Sequence, residues 1–154
     1  MIHVDGGNKL PLADLRVIEL GSLLAGPFCG QLLGDFGAEV IKVEDPGVGD
    51  PMRQWGREKP YGNSLWWPVV ARNKKSITAN LRTKDGQDLI RKLVAKADIL
   101  LENFRPGTLE QWGLSPEELW KIKHFDIVPA SALKKLRAAD KIEIKAGKII
   151  EWYK

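Results

Sequence analysis

The chain has 154 residues, of which 44% are hydrophobic and 29% are charged, as expected for a globular domain with a buried core. No apolar run reaches the roughly 18–20 residues of a membrane-spanning helix, and the first residues lack the pattern of a signal peptide. The single cysteine, Cys29, excludes an internal disulfide and is typical of a reducing compartment. We therefore predict a cytoplasmic protein that has no membrane partner.

The net charge of +4 is unevenly distributed, because residues 124–154 carry 7 basic and 4 acidic side chains while residues 1–123 are almost balanced. A basic segment can indicate nucleic-acid binding. Here, however, the basic residues are interleaved with acidic ones and show no pattern of aromatic side chains that could stack on bases. A solvated surface is the simpler interpretation, so we predict no nucleic-acid partner.

A strand–loop–helix–strand unit is predicted between residues 15 and 44. Residues 15–20 form a short apolar strand, and Pro27 suits the first position of a helix because its missing N–H would have no partner there. One helix face carries apolar side chains at helical spacing, namely Cys29, Leu32, Leu33 and Phe36. Gly37 ends the helix and residues 38–44 return as a strand that we expect to be parallel to the first. Such a unit presents backbone N–H groups to a phosphorylated ligand.

A second unit of the same kind follows an irregular loop over residues 45–72. Residues 75–81 are predicted as a strand and residues 98–102 as another. Between them, apolar residues trace one face of a helix: Leu89, Ile90, Leu93, Val94 and Ala97. This alternation predicts an α/β fold with a parallel sheet and flanking helices.

The last third of the chain has a different character. Ser115-Pro-Glu-Glu118 provides an N-cap, a proline at the first helical position and a capping-box glutamate, which predicts a short helix to about Ile122. Residues 130–139 are predicted as a small helix. Residues 141–152 resemble a hairpin closed by Ala146-Gly147. The predicted fold therefore ends in a small C-terminal helix and hairpin.

Several longer motifs occur in a fixed order along the chain. They are Leu24-Ala-Gly-Pro27, Gly34-Asp-Phe-Gly-Ala-Glu-Val-Ile-Lys-Val-Glu44, Gly49-Asp50, Asn73-Lys-Lys-Ser-Ile77, Ala97-Asp-Ile-Leu-Leu-Glu-Asn-Phe-Arg-Pro-Gly107 and Trp112-Gly-Leu-Ser-Pro-Glu-Glu-Leu119. Through them, residues 12–123 resemble the N-terminal part of the family III CoA-transferases, the group that includes formyl-CoA and carnitine CoA-transferases. The α-methylacyl-CoA racemases share much of this pattern, so the resemblance specifies a superfamily better than a reaction.

The resemblance implies a Rossmann-like domain that binds CoA, here truncated relative to the family. We also predict no metal, because the two histidines, His3 and His124, are too isolated to form a metal site. The resemblance implies an acyl-CoA and a carboxylic acid as substrates, and a homodimer as the assembly. On this basis we predict an N-terminal CoA-binding domain at residues 12–123 and a divergent tail at residues 124–154.

Three groups of residues are candidates for CoA contact. The first is the loop before the first helix, the second is a cluster of cations, and the third follows a predicted strand, where open α/β sheets bind ligands. These candidates are Ser22, Leu23, Leu24 and Ala25, then Arg72, Lys74 and Lys75, and finally Asn103, Phe104 and Arg105. The alternatives are a tight strand–helix turn, a solvated run of charge, and a strand-terminal turn with Phe104 packed inward.

Asp45 departs from the family pattern, because many relatives have an arginine here whose flat guanidinium can stack on adenine. An aspartate cannot stack in this way and would repel nearby phosphates. Either the affinity for CoA is altered or another cation compensates, for which Arg53 is the candidate.

The catalytic residue is not identified by the sequence. The resemblance implies an aspartate nucleophile in a later segment that has no counterpart here. Asp126 is a weak candidate, the alternative being a turn or N-cap residue. We therefore predict a CoA-binding portion that is weak or inactive alone. The alternatives are a racemase-type enzyme, disfavoured by Phe125 at the usual histidine position, and a non-catalytic CoA-binding or assembly module.

Overall fold

The computed structural model describes residues 10–62, 64–123, 126–129, 144–145 and 148–149. Across these residues the chain alternates strands with helices and short 3-10 turns, which confirms the predicted α/β class. No helix in this part of the chain is long and apolar enough to cross a membrane.

A parallel sheet forms the centre of the described structure. Its strands are β1 (Arg16–Glu19), β2 (Glu39–Glu44), β3 (Lys74–Thr78), β4 (Ile99–Glu102) and β5 (Asp126–Pro129), in the spatial order β3-β2-β1-β4-β5. Every neighbouring pair is parallel, including the predicted β1–β2 pair. After β1 the chain first builds outward through β2 and β3. It then returns to place β4 on the other side of β1, so the direction of winding switches between β1 and β4.

Helices cover both faces of the sheet. They are α1 (Ala25–Asp35), α2 (Trp67–Ala71), α3 (Lys84–Val94), α4 (Thr108–Gln111) and α5 (Pro116–Trp120). Neighbouring strand residues point to opposite faces. Thus Val17 packs in the cluster under α1, whereas Ile18 packs with Ile90 and Val94 of α3. A sheet buried on both faces explains why the adjacent residues Val17 and Ile18 of β1 are both apolar and both fully buried.

Helix α1 differs from its prediction in its start and in its buried face. It begins at Ala25, so Pro27 is the third helical residue, where a missing N–H is still without cost because the first turn has no intrahelical acceptors. The buried positions are Gly26, Pro27, Gly30 and Gln31, and of the predicted apolar face only Cys29 and Leu33 pack, partly buried, against the core. Leu32 and Phe36 are 42% and 57% exposed. Small residues allow α1 to lie close to the sheet, while Phe28, Leu32 and Phe36 face outward.

The other predicted elements agree more closely with the structure. Helix α3 buries Ile90 and Val94 as the spacing predicts, and Ala97 beyond it is fully buried. Ser115 Oγ accepts a hydrogen bond from Glu118 N–H, with Pro116 at the first helical position of α5. The loop predicted at residues 45–72 contains two 3-10 turns, Pro51–Gln54 and Pro60–Gly62, and helix α2.

The segment after residue 123 contributes to the main sheet. Asp126 is the first residue of β5, paired with Ile99 of β4, and is therefore neither a turn nor an N-cap residue. Strands β6 (Ile144–Lys145) and β7 (Lys148–Ile149) form an antiparallel pair, as the hairpin prediction requires. The helix predicted at residues 130–139 lies outside the described residues.

Candidate functional site

Two loops meet at the carboxyl ends of β1 and β4, where the sheet switches direction. Asn103 follows β4, and its Oδ1 accepts a hydrogen bond of 2.7 Å from Ser22 N–H of the loop after β1. The Asn103 Nδ2 donates to the Ser22 carbonyl oxygen at 2.8 Å, so the two residues are joined in both directions. In open α/β sheets this switch point is where ligands bind.

Asp50 fixes the next residue of the same loop. Leu23 has a φ of 67°, a left-handed conformation that is costly for a non-glycine residue. Its N–H donates to Asp50 Oδ1 at 3.1 Å, and the same oxygen accepts the Met52 N–H at 2.7 Å. The loop is thus held from two sides, by Asn103 and by Asp50, before any ligand arrives.

A buried cluster of four charges lies beneath this loop. Lys42 Nζ is 3.0 Å from Glu19 Oε1 and 2.7 Å from Asp50 Oδ2, and Lys74 Nζ is 2.7 Å from Glu19 Oε2. The side chains of Lys42 and Lys74 are 2% and 1% exposed. Burial lowers the pKa of Lys74, and the coulombic attraction of Glu19 opposes that shift. The cluster is neutral as a whole, which is what allows four charges to be buried together.

Glu44 anchors the loop that follows β2. It accepts hydrogen bonds from Asp50 N–H at 2.8 Å, from Arg53 Nε at 2.7 Å and from Ser76 Oγ at 2.5 Å. Arg53 Nη2 adds a second bond from its guanidinium, which lies over the ring of Trp67. Burial by itself would raise the pKa of Glu44, but these hydrogen bonds outweigh it and lower the pKa to about 2.

A cavity of about 260 Å³ opens beside the two loops. Its lining residues are mainly apolar and come from the ends of β1, β2, β3 and β4: Leu20, Ser22, Val43, Asp45, Val48, Gly49, Asp50, Pro51, Ala79, Leu81, Arg82, Phe104 and Trp112. Phe104 meets Trp112 edge to face, with 5.2 Å between ring centroids. At one side Arg82 Nη1 donates to Asp45 Oδ2 at 3.1 Å. A mainly apolar cavity with polar groups at one side can accept an aromatic ring that carries charged substituents.

The structure brings together part of the predicted site. Ser22 and Phe104 line the cavity, and Asn103 holds Ser22 in place. Leu23 and Leu24 are 39% and 42% exposed beside it. Ala25 begins α1, and Arg105 is exposed but does not line the cavity.

The predicted cation cluster lies elsewhere. Arg72 pairs with Asp35 at the end of α1, which holds the pKa of Asp35 down to about 2. Lys75 pairs with Glu39 at the start of β2. These contacts are at the amino edge of the sheet, opposite the cavity. Lys74 projects inward to Glu19, so its ammonium is occupied in this structure.

Sequence reasoning missed Arg82 and Trp112. Arg82 follows β3 and directly precedes α3, and Trp112 follows α4, so both reach the cavity through loop geometry. The available signal was position, because Arg82 lies just beyond the carboxyl end of a predicted parallel strand. The proposed compensating cation, Arg53, pairs with Glu44 instead of Asp45. In the described part of the chain, no group of three or more His, Cys, Asp or Glu residues could hold a metal.

The pattern of CoA-transferase family III matches residues 12–131. The chain belongs to this family. A succinyl-CoA–D-citramalate CoA-transferase from Chloroflexus aurantiacus is 71% identical over 109 residues, which are 71% of this chain and 27% of that protein. A succinyl-CoA:glutarate CoA-transferase from Homo sapiens is 43% identical over 118 residues, or 77% of this chain and 27% of that protein.

Two solved structures are similar to this chain in fold and in sequence. A CAIB/BAIF family protein from Brucella suis matches with a TM-score of 0.73 and 42% identity, over 79% of this chain and 33% of that one. A Mycobacterium tuberculosis protein, Rv3272, matches with a TM-score of 0.70 and 38% identity, over 77% of this chain and 33% of that one. The chain therefore spans about a quarter to a third of the length of these relatives.

Proposed function

We propose that this chain is the CoA-binding portion of a family III CoA-transferase and that the nucleotide part of CoA lies in the cavity at the carboxyl edge of the sheet. The observation that carries this proposal is the prearranged loop at the switch point, where Asn103 and Asp50 hold residues 22–23 beside an apolar cavity. Family membership supplies the ligand class, since the two relatives described above act on CoA thioesters by name.

The chemistry of the cavity fits the nucleotide end of CoA. Phe104 and Trp112 offer aromatic surface to a purine, and Val48 and Leu81 offer aliphatic surface. The loop at residues 22–25 leads into α1, an 11-residue helix whose first turn has no side-chain cap, so the N–H groups of Ala25 and Gly26 have no intrahelical acceptor. Arg105 stays a proposed contact that would need the ligand to extend beyond the cavity. For Arg72 and Lys75 we propose no direct contact with a ligand in the cavity, because they lie at the amino edge of the sheet, opposite the cavity.

Calorimetric titration with CoA tests the proposal. We expect saturable binding with one site per chain, and no binding of pantetheine, which lacks the nucleotide. Asn103→Ala should weaken CoA binding by roughly tenfold, because loss of both hydrogen bonds to Ser22 releases the loop. Lys75→Ala, at the opposite edge, is the matched control and should bind as the wild type does. Absence of any heat from folded protein at millimolar CoA would refute the proposal.

We propose further that the chain alone transfers CoA weakly or not at all. Of the residues that the structure describes, the carboxylates lining the cavity are Asp45 and Asp50, and both are engaged, the first by Arg82 and the second by Lys42. A carboxylate nucleophile needs a free oxygen directed at the thioester. An assay with succinyl-CoA and a hydroxy acid should therefore show no turnover, and steady transfer by purified protein would contradict this.

We also propose that the protein is a homodimer, which an exposed apolar surface supports, and that it is cytoplasmic, as its single cysteine is typical of a reducing compartment. Large exposed side chains recur every four residues along α1 and continue just before and within α2. They are Leu24, Phe28, Leu32 and Phe36, then Leu65, Trp66 and Val69, and each is 42–58% exposed. Contiguous apolar surface of this kind marks an interface. Light scattering should give twice the chain mass, and Phe28→Glu should return it to the monomer.

A further inference from the structure

One side of the cavity is formed by a weak, exposed ion pair between Arg82 and Asp45. Arg82 donates one hydrogen bond of 3.1 Å to Asp45, and the two side chains are 65% and 40% exposed. Exposed pairs of this kind are worth little, because water screens both charges. In contrast, Arg53 makes two shorter bonds to the buried carboxylate of Glu44. Arg82 is therefore the cavity-lining cation that a ligand can recruit.

The backbone of Arg82 is fixed although its side chain is exchangeable. Its N–H donates to Asn80 Oδ1 at 3.0 Å, and the next residue, Thr83, caps α3 by accepting the Gly86 N–H. The guanidinium carbon lies 5.5 Å from the ring centroid of Trp112, on the wall of the cavity. A guanidinium so placed can exchange a carboxylate for a phosphate with a change in side-chain torsions alone.

We propose that Asp45 sets the affinity of the cavity for nucleotide phosphate by competing for Arg82. Asp45 holds the guanidinium in this structure, so a ligand phosphate has to displace the carboxylate before Arg82 can bind it. This inference rests on the proposed function, and it makes Asp45 an affinity-setting residue that needs no contact with the ligand. The ligand group is a nucleotide phosphate, either the 3′-phosphate or the diphosphate of CoA.

A double-mutant cycle measured by titration with CoA tests the competition. Asp45→Asn should tighten CoA binding about three- to fivefold, the value of an exposed ion pair. Arg82→Ala should weaken it about tenfold, as expected for one charge-assisted contact. In the Arg82→Ala background, Asp45→Asn should have less than a twofold effect, because no guanidinium remains to compete for.

Two exposed residues of the same helix start provide matched controls. Asp85→Asn removes one negative charge, and Lys84→Ala removes one positive charge, from positions that do not line the cavity. Each should change CoA affinity less than twofold. Repeating the cycle with dephospho-CoA identifies the phosphate: the effect of Arg82→Ala disappears if the 3′-phosphate is bound and persists if the diphosphate is bound.

The outcomes separate this inference from the proposed function. If the wild type binds no CoA, the proposed function itself fails. If the wild type binds CoA and Asp45→Asn leaves the affinity unchanged, the competition alone is refuted. If Asp45→Asn tightens binding equally with and without Arg82, Asp45 acts by direct repulsion of the ligand and the competition is again refuted.

Discussion

Replacing Glu44 by glutamine tests how the loop beside the cavity is held. The carboxylate has a side chain only 2% exposed, and it accepts hydrogen bonds from Asp50 N–H, from Ser76 Oγ and twice from Arg53. Glutamine keeps the shape but loses the charge, and it turns an N–H₂ group toward donors. Removing one partner of a buried ion pair typically costs about 3–5 kcal/mol. Because Arg53 is partly exposed, we expect about 3 kcal/mol of lost stability at pH 7.

The lowered pKa of Glu44 determines how much stability its carboxylate contributes and in which pH range that stability is lost. The pKa of Glu44 falls from its ordinary value of 4.5 to about 2 in the folded protein. A lowered pKa stabilises the fold above the unfolded pKa, and this stability is lost as the pH falls toward the folded pKa. At 1.36 kcal/mol per pH unit, the whole contribution is roughly 3 kcal/mol. About 1 kcal/mol of it is lost by pH 4 and about 2 kcal/mol by pH 3.

Urea denaturation of both proteins at pH 7, 4 and 3 measures this effect. The difference in the free energy of unfolding between the wild type and Glu44→Gln should narrow by about 2 kcal/mol between pH 7 and pH 3. Glu39→Gln is the matched control, because its carboxylate also pairs with cations but is 31% exposed at the opposite edge. Between pH 7 and pH 3, the difference in the free energy of unfolding between the wild type and Glu39→Gln should change by less than about 1 kcal/mol. A constant difference for Glu44→Gln across the pH range would refute the reasoning.

Three further predictions concern the backbone and the lone thiol. Gly86→Ala should destabilise the fold by about 3 kcal/mol in urea denaturation, because the added Cβ would lie 2.0 Å from the carbonyl oxygen of Asn80. Leu23→Gly should raise the free energy of unfolding by up to about 1 kcal/mol, since glycine relieves the left-handed strain at φ 67°; a loss of stability would mean that this side chain contributes packing. Burial and the nearby Glu19 raise the pKa of Cys29, so iodoacetamide at pH 8 should alkylate the native thiol several times more slowly than the urea-unfolded one.

The fold was predictable wherever one physical signal dominated. β1 and β2 each contain a pair of adjacent apolar residues and are joined through a single helix, and such connections give parallel strands, as found. The buried face of α1 was only partly predictable from apolar periodicity, because Cys29 and Leu33 pack against the core as predicted, whereas Gly26 and Gly30 are also buried and Leu32 is exposed. A Cβ at Gly30 would lie 1.9 Å from Glu19 Oε2, so the side chains beneath the helix decide its orientation. The orientation of α1 therefore depends on tertiary contacts, which the spacing of apolar residues does not show.

The candidate site was predictable in position but not in its charge pairing. Residues after β1 and β4 were recognisable because parallel strands deliver their carboxyl ends to one edge. Lys74 and Lys75 are identical neighbours in the sequence, yet one is buried against Glu19 and the other is 71% exposed, because alternate strand residues face opposite sides. The sequence likewise does not show which cation pairs with Asp45. Arg53 is closer along the chain, but the buried carboxylate of Glu44 binds it more strongly, and this leaves Arg82 for Asp45. Because the buried carboxylate of Glu44 binds Arg53, Arg82 is the cation that remains exchangeable at the cavity.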